Sequence, residues 1–154
     1  MQSILDEPQF ENHIRKDILT KILSDKEDFK LYDFKKAVDV LIAKNGENPK
    51  LYFIEIKYHK KSNGRLGFGH GKGGGFQPEM LKDKMDYFEY NLRWILGNID
   101  SDMYWFVDNN IIRNYISGGE IGEKYNNIQA KFFREVPAVN KSQLISLLSN
   151  WFLS

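Results

Sequence analysis

Apolar positions along this chain recur with two different periods, and each period predicts an element. Between Gln9 and Leu23, Phe10, Ile14, Ile18 and Ile22 fall at helical spacing with Leu19 and Leu23 beside them, which predicts an amphipathic helix. Pro8 suits its start, and Glu11 and Asn12 occupy its first turns. Phe29–Phe34 reads as a connection or a short strand. Ala37–Ala43 alternates Val38, Val40 and Ile42 with Asp39 and Leu41, the period of a strand. Asn45-Gly46-Glu47-Asn48-Pro49 is a hairpin turn. Leu51–Tyr58 is its partner strand, and the near-continuous apolar run there predicts a central place in a sheet.

The second half opens with a long loop, Ser62–Gln77, containing seven glycines from Gly64 to Gly75. Pro78 then predicts the start of a helix carrying Met80, Leu81, Met85, Phe88, Leu92 and Leu96, ended by Gly97 and Asn98. Met103–Val107 reads as a strand, Asp108-Asn109-Asn110 as a turn, and Ile111–Ile116 as a further strand. Gly118-Gly119 breaks the chain, Ala130–Val136 reads as a last strand, and Ser142–Leu153 as a terminal helix with Leu144, Leu147, Leu148 and Trp151 on one face. This order predicts an α/β fold: a single-domain mixed β-sheet flanked by helices, spanning residues 1–154.

Composition narrows the chemistry. The chain has no cysteine, which excludes disulfide staples, thiol nucleophiles and zinc–thiolate sites, and fits a reducing cytoplasmic setting. The N-terminus carries neither a basic segment nor a long apolar core, and no stretch approaches the ~18 apolar residues of a membrane span, so neither a signal peptide nor a membrane partner is expected. Net charge is +1, too balanced for a broadly basic nucleic-acid binder. Charge is nonetheless uneven: Lys57, Lys60, Lys61, Arg65 and Lys72 follow one another with no acid among them. With His70, the last four make a candidate strip for nucleic-acid phosphates.

The predicted hairpin carries the sharpest signal. Residues two apart on a strand share a face, so Glu55 and Lys57 project together, and Asp39 lies on the neighbouring strand across a short turn. Two carboxylates on one patch repel unless a cation or a proton joins them. A hard divalent ion, Mg²⁺ or Mn²⁺, fits Asp39, Glu55 and the Ile56 backbone carbonyl, with Lys57 free to orient water or stabilise charge on a phosphate. The competing account is a solvated polar face of the hairpin. The apolar neighbours Val38, Val40, Ile54 and Ile56 argue against it, because charges on central strands are seldom tolerated unless paired or coordinating.

The glycine loop also contains Gly69-x-Gly71-x-x-Gly74, a formal dinucleotide fingerprint. The predicted helix begins only after Pro78, and the phosphate-loop pattern fails at Leu66 and Gly73, so no nucleotide cofactor is expected. The glycines instead suit close approach to a sugar–phosphate chain, with Phe68 and Phe76 available for stacking. His13, His59 and His70 do not have the spacing of a metal triad. Tyr87, Phe88, Tyr90 and Trp94 read as an aromatic cluster on the second helix, suited to core packing or a dimer interface.

Together Asp39 and Glu55-Ile56-Lys57 resemble the PD-(D/E)xK nuclease superfamily, whose fold is restriction-endonuclease-like. Glu11 matches that family's helix acid, and Gln77 stands where many members carry a glutamine near the following helix. Val38 replaces the proline that often precedes the strand Asp. The resemblance implies a Mg²⁺- or Mn²⁺-dependent endodeoxyribonuclease of restriction or phage-defence type, with Glu11, Asp39, Glu55, Lys57 and Gln77 catalytic. It further implies a metal held by Glu11, Asp39, Glu55 and the Ile56 carbonyl, DNA as substrate, and a homodimer where both strands are cut. The alternatives are a catalytically silent nucleic-acid- or protein-binding module of the same fold, a repair or recombination nuclease, or an RNA-directed nuclease.

Overall fold

A tight hairpin organises the sheet. Strand β2 (Val40–Lys44) pairs antiparallel with β3 (Lys50–Tyr58), Val40 opposite Ile54 and Lys44 opposite Lys50. Gly46 turns the connection at φ +127°, a backbone conformation that a side chain would strain. The computed structural model describes residues 7–33, 39–58, 66–67, 90–98, 102–117 and 127–154.

Strands β1 (Phe29–Asp33), β5 (Leu92–Asn98) and β6 (Met103–Val107) complete a five-stranded sheet of order β1-β2-β3-β5-β6. Only β3 and β5 run parallel, which makes the sheet mixed, and β3 occupies its centre. A second sheet of short strands has the order β4-β8-β7, from β4 (Leu66–Gly67), β7 (Ile116–Ser117) and β8 (Asn127–Ile128). The architecture is α/β, a mixed five-stranded sheet flanked by helices, as the element order predicts.

The two faces of the large sheet bury different layers. One cluster joins Val40, Ile42, Tyr52, Ile54, Ile56, Tyr58 and Ile95 to Phe10, Ile14 and Ile18 of the first helical run and to Leu144, Leu148, Trp151 and Phe152 of the last helix. That first run comprises α1 (Glu7–Asn12), a π-helical stretch over His13–Leu19, and α2 (Thr20–Leu23). A cluster on the other face gathers Phe53, Leu92, Trp94, Leu96 and Trp105 under Ile112, Ile128 and Phe132. The last helix, α5 (Lys141–Leu153), starts from a capping box in which Asn140 and Gln143 exchange side-chain and backbone hydrogen bonds. Two shorter helices precede it, α3 (Asn109–Arg113) and α4 (Phe132–Glu135).

Several expectations are corrected. The helix predicted from Pro78 through Leu96 gives way at its described end to β5, with only Tyr90 helical before it; residues 78–89 lie outside the described residues. Leu92 and Leu96 are four apart, a spacing that fits a helix turn and equally two strand repeats. Trp94 between them packs into the same cluster, so the strand period wins. Of the four aromatics expected on that helix, Trp94 is buried in the core on β5, its Nε1 donating to Asn109 Oδ1 at 2.8 Å, Tyr90 is 74% exposed, and Tyr87 and Phe88 lie outside the described residues. Ile111–Ile116 is not a strand, because the Asp108 side chain accepts from Ile111 N and starts α3. Ala130–Val136 is not a strand either. Phe132 and Phe133 pack around Trp105 from a helical turn, at ring distances of 6.2 and 5.1 Å, and packing overrides their β propensity.

Candidate active site

The candidate residues converge where β2 stops covering β3. Phe53 N donates to Asn91 O on the β5 side, so Ile54, Ile56 and Tyr58 turn their peptide groups the other way, toward β2. Ile54 O duly accepts from Asp39 N at 3.1 Å. The sequence pattern places Asp39 inside a strand beginning at Ala37, but β2 begins only at Val40 and Asp39 sits in the bend before it. Its side chain explains the early end of the ladder: Ile56 N donates to Asp39 Oδ2 at 2.7 Å, where a strand carbonyl would otherwise stand. Two residues on, Tyr58 N donates to Glu7 Oε1 at 3.2 Å. Two carboxylates thus line the β2 side of β3 beyond Val40, and the Ile56 carbonyl points to the same side.

Helix α1 brings its acids to this flank because it lies flush on the sheet. A Cβ built on Gly97 would meet Phe10 Cζ at 2.6 Å and Tyr104 Cδ1 at 2.9 Å, so only a glycine there lets the Phe10 ring settle against β5. Phe10 also packs on Tyr58 at 5.8 Å between ring centres. With Phe10 anchored inward, Glu7 and Glu11, one helical turn apart, share the flank facing Asp39. His13 turns away from them: its Nδ1 pairs with Asp17 Oδ2 and its Nε2 with the Tyr104 hydroxyl, each at 2.9 Å.

Glu55 and Lys57 occupy the β3 face opposite the first helical run, beside Phe53, and are only 2% and 4% exposed. Burial pushes the Glu55 carboxyl well above the usual range, and the nearby Asp39 carboxyl adds to it, while Lys57 opposes the shift. Glu11 rises from 4.5 to about 7, first through burial, then through the charge of Asp39 and a carboxyl–carboxyl hydrogen bond to it, with Glu7 adding repulsion. Glu55 makes the same kind of bond to Asp39. Glu7 is raised by burial, with Lys57 and the Tyr58 N–H pulling the other way. Asp39 is therefore the hub: it accepts from Ile56 N, and protonated Glu11 and Glu55 can each donate to it.

Such a cluster exists only by holding protons or a cation. Glu55 Oε2 is buried and has no hydrogen-bond partner among the described residues, an oxygen left over by every neighbouring donor. No three acidic or imidazole side chains among the described residues close a ready-made metal cage. Mg²⁺ does not need one, since it commonly binds one or two carboxylates and completes its shell with water and substrate oxygens. Asp39, Glu55 and the Ile56 carbonyl fit that requirement, with Glu11 adjoining.

The structure thus brings Glu11, Asp39, Glu55, Ile56 and Lys57 together. Gln77, Lys60, Lys61, Arg65, His70 and Lys72 lie outside the described residues. Glu7 is the member that sequence reasoning missed. Its signal was present, a glutamate four residues before Glu11 on the same helical face, but Pro8 drew the expected helix start past it.

No protein-family model and no curated protein matches the chain. Among solved structures, the chain resembles that of D212, a nuclease from a fusselovirus, with a TM-score of 0.51 at 15% identity, covering 99% of this chain and 98% of that one. At that identity the likeness is one of fold.

Proposed function

We propose that this protein is a metal-dependent endodeoxyribonuclease of the PD-(D/E)xK type. The observation that carries the reading is the buried pair Glu55 and Lys57 on a central strand, with Asp39 beside them and one Glu55 oxygen without a partner among the described residues. Buried polar groups in a satisfied core are paired; here one Glu55 carboxyl oxygen has no donor among the described residues, at a price in stability. The site also lies toward the carboxyl ends of the two parallel strands, β3 and β5, where open α/β sheets place their ligands. The fold shared with a viral nuclease agrees with this reading.

Asp39, Glu55 and the Ile56 carbonyl hold Mg²⁺ or Mn²⁺ in this proposal, with Glu11 next to them. The ion, when bound, polarises the phosphoryl group and makes bound water more acidic. The protein's own residues do the rest. Lys57 sets its ammonium beside the carboxylates, where it orients the attacking water and offsets negative charge growing on the phosphate. Asp39 fixes the β3 backbone through Ile56 N, and Glu7 fixes it through Tyr58 N, so Lys57 is gripped on both sides in sequence. Glu11, raised from 4.5 to about 7 by burial and the Asp39 charge, adjusts the charge of the cluster. DNA is the proposed substrate. Cutting both strands with one such site per chain calls for two copies of the protein.

The test is incubation of purified protein with supercoiled plasmid and Mg²⁺ or Mn²⁺, beside Lys57→Ala. The expected result is metal-dependent nicking or linearisation that the variant loses. Absence of cleavage of plasmid, single-stranded DNA and RNA with either metal overturns the reading in favour of a binding module.

A further inference from the structure

The sheet face that carries Glu55 stays apolar at its outer corner, where a solvated face would turn polar. Cross-strand partners share a face, so the register sets Tyr32 of β1 beside Leu41 of β2, and Leu41 beside Phe53 of β3, one row from Glu55. The next row outward is Lys30, Ala43 and Leu51. Antiparallel strands with one face in water alternate apolar and polar residues. Here the other face of the same strands already buries Ile42, Tyr52 and Ile54 under the helical layer. The strands are therefore apolar on both faces, with a single cation among the six positions of the second.

Cover for this face ends before its corner. Phe53 is buried beneath Ile112, Ile128 and Phe132, and Leu41 packs partly against that layer. Tyr32 and Leu51 are 43% and 38% exposed, and β1 is the edge strand of the sheet. Lys30 Nζ lies 5.2 Å from the Tyr32 ring centre, which steadies the ring. Lys30 is in no ion pair among the described residues. The last helix packs on the other face, so its negative end is no counter-charge for Lys30. The corner is thus an aromatic surface with a free positive charge, suited to an occupant with flat apolar faces and a negative margin.

We propose that Tyr32 and Lys30 form a platform for an unpaired strand of the DNA, with a base stacked on the Tyr32 ring and a phosphate on Lys30. The proposal rests on the nuclease reading for its ligand and names the substrate class: DNA with a single-stranded or frayed stretch beside the bond that is cut. The path to the candidate site runs along β2, from Leu41 to Asp39, both half-buried. One strand spacing and two residues separate Tyr32 from Asp39, about 8 Å between backbones, or roughly two to three nucleotide steps.

The experiment measures binding of the full chain to a single-stranded oligonucleotide and to its duplex in metal-free buffer across a salt series. It compares wild type with Y32A, Y32F and K30Q, and records the thermal midpoint and sedimentation of each. The expected result is a tighter complex with the single strand, weakened about tenfold by Y32A and kept by Y32F, which retains the ring. K30Q should lower the slope of log K against log salt by about 0.7, one phosphate contact on a single strand. Single-strand affinity that ignores Tyr32 overturns the proposal, and so does equal weakening of both complexes by Y32A. Self-association that Y32A abolishes while DNA binding stays unchanged also overturns it, and makes the corner a contact between two copies. K30Q, a change to an exposed side chain, decides the case where Y32A fails to fold: an unchanged slope overturns the proposal. A wild type that cleaves plasmid while its binding ignores Tyr32 leaves the nuclease and removes the platform. Tyr32-dependent binding without cleavage does the reverse.

Discussion

The two faces of β3 are equally buried and built for different ends. Tyr52, Ile54, Ile56 and Tyr58 turn toward the first helical run and α5, where they join one apolar cluster with Phe10, Ile14, Leu144 and Phe152. Phe53, Glu55 and Lys57 turn the other way, and after Phe53 the burial is of charge. Apolar burial on the first face stabilises the fold at about 25 cal/mol per Å² removed from water. Burying Glu55 and Lys57 works against the fold, because both lose hydration and one Glu55 oxygen is unmatched among the described residues. One face therefore sets stability and the other gives it up, which is the pattern expected where a strand carries a reactive site.

Glu55→Gln breaks that contrast most sharply. The amide keeps the shape of the side chain and removes the charge, so metal-dependent cleavage should fall by at least about 100-fold. Above neutral pH the thermal midpoint of the metal-free protein should hold or rise, because a desolvated acid has been neutralised. A variant that loses midpoint and activity together would show Glu55 to be a structural residue, and the comparison of faces would collapse.

Ile54→Ala tests the other face. Ile54 is fully buried opposite Val40, and its truncation leaves a cavity beneath α1 and its π-helical continuation. Denaturant unfolding should show a loss of about 2–5 kcal/mol. Cleavage measured well below the midpoint should persist, since the side chain points away from Glu55 and Lys57. Equal damage to cleavage would mean that the two faces are not separable.

How much of this contrast the chain announces depends on range. The β2–β3 hairpin is legible because its turn chemistry and alternating period are local, and the Asp39 and Glu55-x-Lys57 pattern comes with it. The end of β2 is not, because Asp39 leaves the ladder only when its carboxylate finds Ile56 N seventeen residues on. β5 is hidden for a similar reason: its pairing with β3 is long-range and parallel, and Leu92 and Leu96 satisfy both periods. Glu7 is invisible until Tyr58 N gives it a partner fifty-one residues away. Local signals name the residues; the assembled sheet decides which of them meet.

The smallest expected effect concerns protons in the cluster itself. Glu11 is raised from 4.5 to about 7, so between those values the folded protein holds a proton that the unfolded chain has released. For a raised carboxyl the sign is that stability is fullest below about 4.5, declines as pH rises through the window to about 7, and levels off above it. Glu55 and Glu7 are raised too and act in the same direction. Metal-free protein should therefore show a falling thermal midpoint over that range, and Glu11→Gln should flatten part of the slope. The change is modest because Glu11 is partly exposed and solvent screens it. Mg²⁺ or Mn²⁺ should lift the midpoint most at the alkaline end, where the carboxylates have given up their protons and a cation can take their place. A midpoint that ignores both pH and metal across the window would mean that the carboxylates meet solvent rather than one another, and the apparent asymmetry between the two faces of β3 would reduce to ordinary surface charge.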